Sequence, residues 1–335
     1  MSDKIKIIAE VAQAHDGSLG MAHSFIDLAA DAGADIIKFQ THIADEESSI
    51  DEPWRVKFSK QDKTRFDYWK RMEFTEVEWI GLKQHCDERG IEFMSSPFSI
   101  KAVEMLDKIG VKEWKIASGE VTNTPLFNAI AKTKKPVLLS TGMSSLKEID
   151  EAVNIIKKNN LELTVLQCTS MYPTEPEKLG LNMIQLFKER YKCKSGLSDH
   201  SGNIYSSLAA AALGADVIEA HITFSKKMFG PDVPVSLDFE QLKSLVEGVA
   251  FIEKALKHPV DKDKIADELK ELRSIFNKSI VAGTNIPVNS VLSEELLAFK
   301  KPGTGLTPNK IDSVLGRKVK RDIKINEQIK LQDLE

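Results

Sequence analysis

Short apolar runs alternate with amphipathic runs over the first three quarters of the chain. The apolar runs cover 6–11, 35–40, 91–96, 113–118, 136–141, 163–168, 194–199 and 216–221. They are apolar at consecutive positions, as strands buried on both faces of a parallel sheet are. Helical spacing of apolar residues marks 19–32, 76–89, 146–159 and 204–213 between them. Gly33, Gly90, Gly110 and Gly214 fall where a helix C-cap precedes the next strand. The phrases AGADIIKFQ and LGADVIEAH repeat one pattern, Gly-Ala-Asp followed by two apolar residues. Eight βα units predict a parallel (β/α)₈ TIM barrel of class α/β. An open doubly wound sheet is the competing fold, but EVAQAHDGSLG lacks the glycine-rich turn that a nucleotide-binding first unit carries.

The connection from Gln40 to Ile91 is about twice the usual length of a βα unit. Its surplus, 41–75, interleaves aromatic and basic residues (WRVKFSKQDKTRFDYWKRMEFT) with Asp51, Glu52, Asp62, Asp67 and Glu73. The mixed sign removes the basic stripe a nucleic-acid groove needs. The segment reads as a lid over the barrel mouth, an oligomer contact or a structural excursion. After the eighth strand come a loop, a long helix over 239–256 and a polar, charge-rich linker. From Asn277 the texture changes to short β-like runs, Gly and Pro turns and two brief helices. The expected organisation is a barrel over 1–257, a linker over 258–276 and a small β-rich domain over 277–335. So small a domain is expected to dock on something.

Composition narrows the function. Of 335 residues, 42% are hydrophobic and 29% charged, with a net charge of −4, as in ordinary soluble proteins. There is no basic surplus for nucleic acid and no apolar run of signal-peptide or membrane-span length. Cys86, Cys168 and Cys193 form no paired framework and no CxxC spacing, which fits a reducing cytoplasm.

In a barrel of this kind catalytic groups stand at the C-terminal ends of the strands. Those positions carry Glu10; Lys38 and Gln40; Ser95 and Ser96; Lys115, Ser118 and Glu120; Ser140 and Thr141; Ser170 and Tyr172; Ser198 and His200; and His221. Two lysines among many hydroxyls suit a phosphorylated or multiply anionic small molecule. His200 and His221 end neighbouring strands and could share a metal ion. Glu10 and Glu120 could serve as general acid or base, or bind hydroxyls. Singly, each has a plainer reading: Lys115 as a salt-bridged barrel lysine, Ser140 as a turn residue, Glu10 as a helix-cap partner.

At these residues the chain resembles the sialic acid synthase family. AEVAQAHDG, KFQT (38–41), SSPF (95–98), KIASGE (115–120), LSTGM (139–143), CTSMYPT (168–174), GLSDHS (196–201) and GPD (230–232) follow in the family's order. KKPGTGL and GRKVKRDI resemble its C-terminal antifreeze-like (SAF) domain. The resemblance implies a nonulosonic acid synthase, a transferase condensing phosphoenolpyruvate with an N-acetylated amino-sugar aldehyde and releasing phosphate. It implies that Lys38, Ser96, Lys115, Ser118, Ser140, Ser170 and Ser198 hold phosphoenolpyruvate. Glu10, Gln40, Phe98, Tyr172, Asp232 and Lys301 would contact the sugar, and Glu120 would sit near the reacting carbons with Glu10. His200 and His221 would bind a divalent ion, Mn²⁺ first, with Mg²⁺ or Co²⁺ as alternatives. A domain-swapped homodimer is also implied, the SAF domain covering the partner's barrel.

Four positions depart from the family pattern. Ser170 stands where Asn is common, Ser96 where Thr is, Ala220 where Lys is, and Lys301 where the SAF domain usually presents Arg. A lysine cannot form a bidentate fork, so the acceptor is open between N-acetylmannosamine and a diacetamido-trideoxy hexose. Two competing functions remain. One is a phosphoenolpyruvate aldol synthase for a phosphorylated sugar, with Arg55, Lys57, Lys63 and Arg71 supplying cations for the second phosphate. The other is a non-catalytic carbohydrate-binding barrel and SAF protein.

Overall fold

The computed structural model of the chain describes residues 4–335. Eight parallel strands are present: β1 Lys6–Ala12, β2 Ile36–Thr41, β3 Glu92–Pro97, β4 Trp114–Ile116, β5 Val137–Ser140, β6 Leu163–Cys168, β7 Lys194–Asp199 and β8 Val217–His221. Their order, β3-β2-β1-β8-β7-β6-β5-β4, is that of a barrel. β3 and β4 stand side by side without a ladder between them, so the ring is nearly closed. β4 is shorter than the 113–118 run predicts because the chain turns at once into a 3₁₀ turn, Ser118–Glu120.

Twelve helices follow in chain order among the described residues: α1 Leu19–Ala32, α2 Ala44–Glu47, α3 Arg65–Met72, α4 Glu76–Arg89, α5 Ile100–Ile109, α6 Thr124–Lys132, α7 Leu146–Lys158, α8 Asn182–Tyr191, α9 Tyr205–Ala212, α10 Phe239–Leu256, α11 Lys262–Glu268 and α12 Lys270–Phe276. The starts of α4 and α7 are capping boxes, Thr75 with Glu78 and Ser145 with Glu148. Gly33, Gly90 and Gly110 cap α1, α4 and α5 in the left-handed conformation. Gly214 also has positive φ but follows the C-cap of α9, Leu213.

Two apolar layers build the barrel. The large one lies between strands and helices, with Phe25, Phe39, Trp79, Trp114 and Phe127 fully buried in it. The small one fills the barrel's interior with Ile8, Ile36, Met94, Leu138, Leu166 and Val217. Side chains along a strand alternate faces, so the inward residue two places later stands one level higher. From the small layer those residues are Glu10, Lys38, Ser96, Ser140, Cys168 and Glu219. Six strands thus step from an apolar plug to a polar floor. The ladders bring the polar residues of neighbouring strands together, pairing Glu10 with both Lys38 and His221, and Ser198 with both Cys168 and Glu219.

The 41–75 surplus carries α2 and α3 and its own apolar cluster of Ala44, Tyr68, Trp69 and Met72, backed by Trp54, Phe58 and Phe66. Arg71 ties it to the β1–α1 loop through Asp16 while gripping Asp62 with Nε and Nη2. Contacts divide the chain into a unit ending at His258 and a second over Pro259–Glu335. The second pairs β9 Ser279–Ala282 with β10 Leu297–Lys300, antiparallel, over a core of Ile280, Ile286, Leu292, Val314, Val319 and Ile329. Its brief helices beyond Asn277 are 3₁₀ turns, and the polar linker folds as α11 and α12 with no buried residue.

Gly196 is the tightest point of the ring. A Cβ built there meets the Val217 carbonyl oxygen at 1.9 Å and the Leu166 side chain at 3.1 Å. Backbone oxygen cannot rotate away, so β7 and β8 approach only because this residue has no side chain. Gly196→Ala is expected to cost about 3 kcal/mol and to lower the midpoint of thermal unfolding by several degrees. An unchanged midpoint would show that the two strands separate freely.

Candidate active site

The cavity floor is a cluster of four buried charges. The Lys38 ammonium lies 2.5 Å from Glu10 Oε2 and 3.6 Å from Glu219 Oε2. Lys115 donates to Glu219 Oε1 at 3.0 Å, and the Ser198 hydroxyl donates to the same oxygen at 2.8 Å. All four side chains are at most 4% exposed. Burial alone would raise Glu219, but Lys115 and Lys38 beside it hold its carboxyl well below the usual range. Glu10 moves the other way, since burial and the neighbouring Glu219 outweigh Lys38. Burial lowers Lys115 despite Glu219, whereas Lys38, with a carboxylate on each side, stays above its usual value against burial.

A ring of hydroxyls stands around this floor. Ser96 Oγ accepts a long 3.4 Å bond from Lys38. Ser118 Oγ accepts from the Gly142 amide at 2.9 Å. Ser140 Oγ is buried and has no hydrogen-bond partner among the described residues. Gly142 lets these groups converge: a Cβ there would lie 2.4 Å from Ser170 Oγ and 2.9 Å from both Ser118 Oγ and Cys168 Sγ. Glu120 closes the 3₁₀ turn after β4. Burial raises its carboxyl, and Asn123 Nδ2 donates to it at 2.6 Å while Asn123 Oδ1 caps α6.

The two histidines face each other across β7 and β8, with ring centroids 5.2 Å apart. His200 Nδ1 meets the Thr169 carbonyl at 2.9 Å; donating there makes Nε2 the lone-pair nitrogen of the neutral ring. Burial pulls His200 down, but Cys168, the Thr169 carbonyl and Glu219 lift it to about 8, so Nε2 must give up a proton before it can bind an ion. Burial dominates at His221 and lowers it to about 3, so that ring is neutral, and its buried Nδ1 has no hydrogen-bond partner among the described residues. Asp199, at the end of β7, accepts from the Ser201 amide and from Ser207 at 2.8 and 3.0 Å and also holds Ser206, which fixes the loop beside His200. Among the described residues no three or more His, Cys, Asp or Glu form a metal-ligating group. His200 and His221 are the two side chains here that could hold an ion between them.

All the expected site residues outside the second unit line one cavity of about 460 Å³: Glu10, Lys38, Gln40, Ser96, Phe98, Lys115, Ser118, Glu120, Ser140, Ser170, Tyr172, Ser198, His200, His221 and Asp232. Lys301 belongs to the second unit, where its Nζ lies 5.1 Å from the centre of the Phe276 ring. Ser95 points to the opposite face from Ser96 and bonds Thr41 at 2.7 Å. Ala220 packs in the strand–helix layer, so the departure at that position does not reach the cavity.

Sequence reasoning missed Glu219. Its signal was present: a charge inside an apolar strand, two residues before a strand-end histidine and so on the same face. It also missed Gln13, His42 and Glu47. Gln40 Nε2 donates to Glu10 Oε1 at 2.7 Å, Gln13 Nε2 lies 2.5 Å from Gln40 Oε1 and 2.9 Å from His42 Nε2, and His42 Nδ1 lies 2.6 Å from Glu47 Oε1. His42 is stacked between Trp69 and Phe98, centroids 4.1 and 4.6 Å away. The 41–75 segment supplies further wall through Trp54, Arg55, Phe58 and Tyr68, which makes it a cover over this cavity. No described helix is long and apolar enough to cross a membrane.

Glu219 carries the counter-charge of two buried lysines. Glu219→Ala is expected to cost about 3–5 kcal/mol by leaving them uncompensated, read as a fall in the denaturation midpoint. A loss below about 1 kcal/mol, the size of an exposed pair, would mean that solvent already screens the cluster.

The family model described as NeuB family matches residues 25–261, and that of the SAF domain matches 277–335. The N,N'-diacetyllegionaminic acid synthase of Campylobacter jejuni is 36% identical over 98% of this chain and 99% of its own length. The human N-acetylneuraminate-9-phosphate synthase is 34% identical over 93% and 88%. Among solved structures, the N-acetylneuraminic acid synthetase of Leptospira borgpetersenii, crystallised with citrate, superimposes with a TM-score of 0.71 at 34% identity. That match covers 81% of this chain and 92% of the other. With most of the barrel and the C-terminal unit each matched by a family model, the chain belongs to the NeuB family and carries a SAF domain.

Proposed function

We propose that the protein condenses phosphoenolpyruvate with an unphosphorylated, N-acetylated amino-sugar aldehyde, giving a nine-carbon 2-keto acid and inorganic phosphate. The observation that carries this reading is the meeting, in one cavity, of the two-lysine floor, the hydroxyl ring and the imidazole pair. The names of the relatives, which are sialic, legionaminic and pseudaminic acid synthases, support the product class.

In this reaction Lys38 and Lys115 neutralise the phosphate and carboxylate of phosphoenolpyruvate. The hydroxyls of Ser96, Ser118, Ser140, Ser170 and Ser198 take its remaining oxygens, and the unpartnered Ser140 Oγ stands ready for one of them. The C3 carbon attacks the aldehyde carbon, and C2 becomes electron-poor. Water then adds at C2, and phosphate leaves with its bridging oxygen, so the sum is phosphoenolpyruvate plus aldehyde plus water to keto acid plus phosphate. Glu120 takes the proton from that water, because its raised carboxyl makes a better base than an exposed glutamate. A divalent ion on His200 and His221 would act as a Lewis acid toward the aldehyde oxygen. The neutral His221 with its unpartnered nitrogen, and His200 with Nδ1 turned to Thr169, fit such an ion.

An unphosphorylated acceptor is favoured because, among the described residues, the cover's arginines are already engaged, Arg65 with Glu52. Arg71 is spent on Asp62 and Asp16, Arg55 faces Asp232, and Lys57 and Lys63 are not among the cavity-lining residues. In competition, free amino sugars should therefore be consumed ahead of their 6-phosphates; preference for the phosphates would reverse the assignment.

Glu120 works as a base only when ionised, so the rate climbs as pH rises through its pKa. That acid limb is expected above pH 4.5, the ordinary glutamate value. Glu120→Gln should remove the limb and slow turnover about 100-fold; a limb unmoved by the substitution would assign it to another group. Manganese binding, followed by electron paramagnetic resonance, should vanish in His221→Ala while the circular dichroism spectrum is kept. Retained binding would place the ion elsewhere.

A further inference from the structure

Arg55 comes from the 41–75 cover, not from the barrel, yet it sits over the catalytic end of the cavity. Its Nη2 donates to Asp232 Oδ1 at 2.6 Å, with a longer 3.4 Å contact to the Pro231 carbonyl. Its guanidinium carbon lies 4.1 Å from the centre of the Tyr172 ring, a cation–π distance. Tyr172 in turn stacks on His200, centroids 4.2 Å apart. Guanidinium, phenol and imidazole thus form one column. Trp54 packs edge-on to Phe58 at 5.8 Å beside it, which fixes the chain from which Arg55 projects.

The pair leaves hydrogen-bonding capacity unused. A guanidinium has five N–H donors in one plane, and only Nη2 of Arg55 bonds to the protein among the described residues. Asp232 Oδ2 likewise accepts no hydrogen bond there, while Oδ1 is taken by Arg55. Both residues line the cavity, with side chains 37% and 15% exposed. The result is a net-neutral edge that offers a donor and an acceptor side by side. A phosphate meets the Asp232 charge there, and an ammonium meets the Arg55 charge. A secondary amide supplies both complements in one plane, its carbonyl to the guanidinium and its N–H to the carboxylate.

We propose that Arg55, paired with Asp232, reads the acetamido group of the acceptor sugar and so determines its specificity. The proposal rests on the function inferred above and names the group that the mouth of that cavity selects. Tyr172, stacked on His200, joins Arg55 to the imidazole pair at which the proposed function sets the aldehyde.

The test compares N-acetylmannosamine with mannose on the full-length protein, by saturation-transfer NMR titration and, with phosphoenolpyruvate and Mn²⁺, by KM. Wild-type protein should prefer the N-acetylated sugar by about ten-fold or more, the worth of a well-placed hydrogen-bonded pair. Arg55→Ala should erase that preference and leave the affinity for phosphoenolpyruvate within about two-fold. Arg55→Lys keeps the charge opposite Asp232 but not the planar fork, and should recover only part of it. A preference that survives in Arg55→Ala, or an equal loss for both sugars, overturns the proposal. The outcomes separate the two readings. Discrimination by wild type without phosphate release refutes the synthase and keeps the amide-reading pair; phosphate release without discrimination refutes the pair and keeps the synthase.

Discussion

The Glu219 carboxylate, held between Lys38 and Lys115, is the constraint on which the rest of the cavity depends. Two ammonium groups buried at the centre of a barrel are tolerable only with carboxylates at hydrogen-bonding distance. Glu219 reaches Lys115 at 3.0 Å and Lys38 at 3.6 Å, and Glu10 takes the other side of Lys38. Three strands, β1, β2 and β8, must keep one register for this to happen, and β4 must bring Lys115 to the same level. The strand ladders and the missing side chain at Gly196 supply that register. The cost of burying four charges is offset by their mutual pairing, and a bound anion can exchange into a cluster whose charges are already held in place.

The same geometry divides labour by height within the barrel. The apolar layer of Ile8, Ile36, Met94, Leu138, Leu166 and Val217 shuts the bottom. One level up lie the charges and hydroxyls, and above them the imidazole pair, Tyr172 and Asp232. The cover from 41–75 closes the set with aromatic side chains and Arg55. Its attachment through Arg71 to Asp16 and Asp62 makes that cation unavailable for substrate. In this stretch Arg65, Lys70 and Arg71 are held by carboxylates, and Arg55 keeps part of its guanidinium open to the cavity.

Much of this was legible in the sequence because barrel strands carry two signals at once. Apolar continuity marks the strands, and polar residues at their C-terminal ends mark the site, so Lys38, Lys115, Ser140, Ser198, His200 and His221 could be picked out without coordinates. Glu219 escaped because it sits inside the strand, where a single charge looks like an interruption and not a site. Ala220 misled in the opposite sense: adjacent to a site histidine in sequence, it points to the helices, since neighbours on a strand face opposite ways. His42, Glu47 and Arg55 lie on the irregular cover, whose folding follows from aromatic packing and ion pairs that no periodicity encodes. The C-terminal unit read correctly as a change in texture, but its helical pieces are 3₁₀ turns too short to leave a periodic trace.

The floor, the hydroxyl ring and the imidazole pair support the proposed reaction, in which an anionic three-carbon donor and an aldehyde acceptor join with loss of phosphate. The most direct check is the mass of the product formed by purified protein from phosphoenolpyruvate, Mn²⁺ and a panel of N-acetylated amino sugars. The account predicts a 2-keto acid heavier than its acceptor by one three-carbon acid unit, with one phosphate released for each molecule formed. Phosphoenolpyruvate left unconsumed across the panel, or phosphate released without such a product, would contradict it.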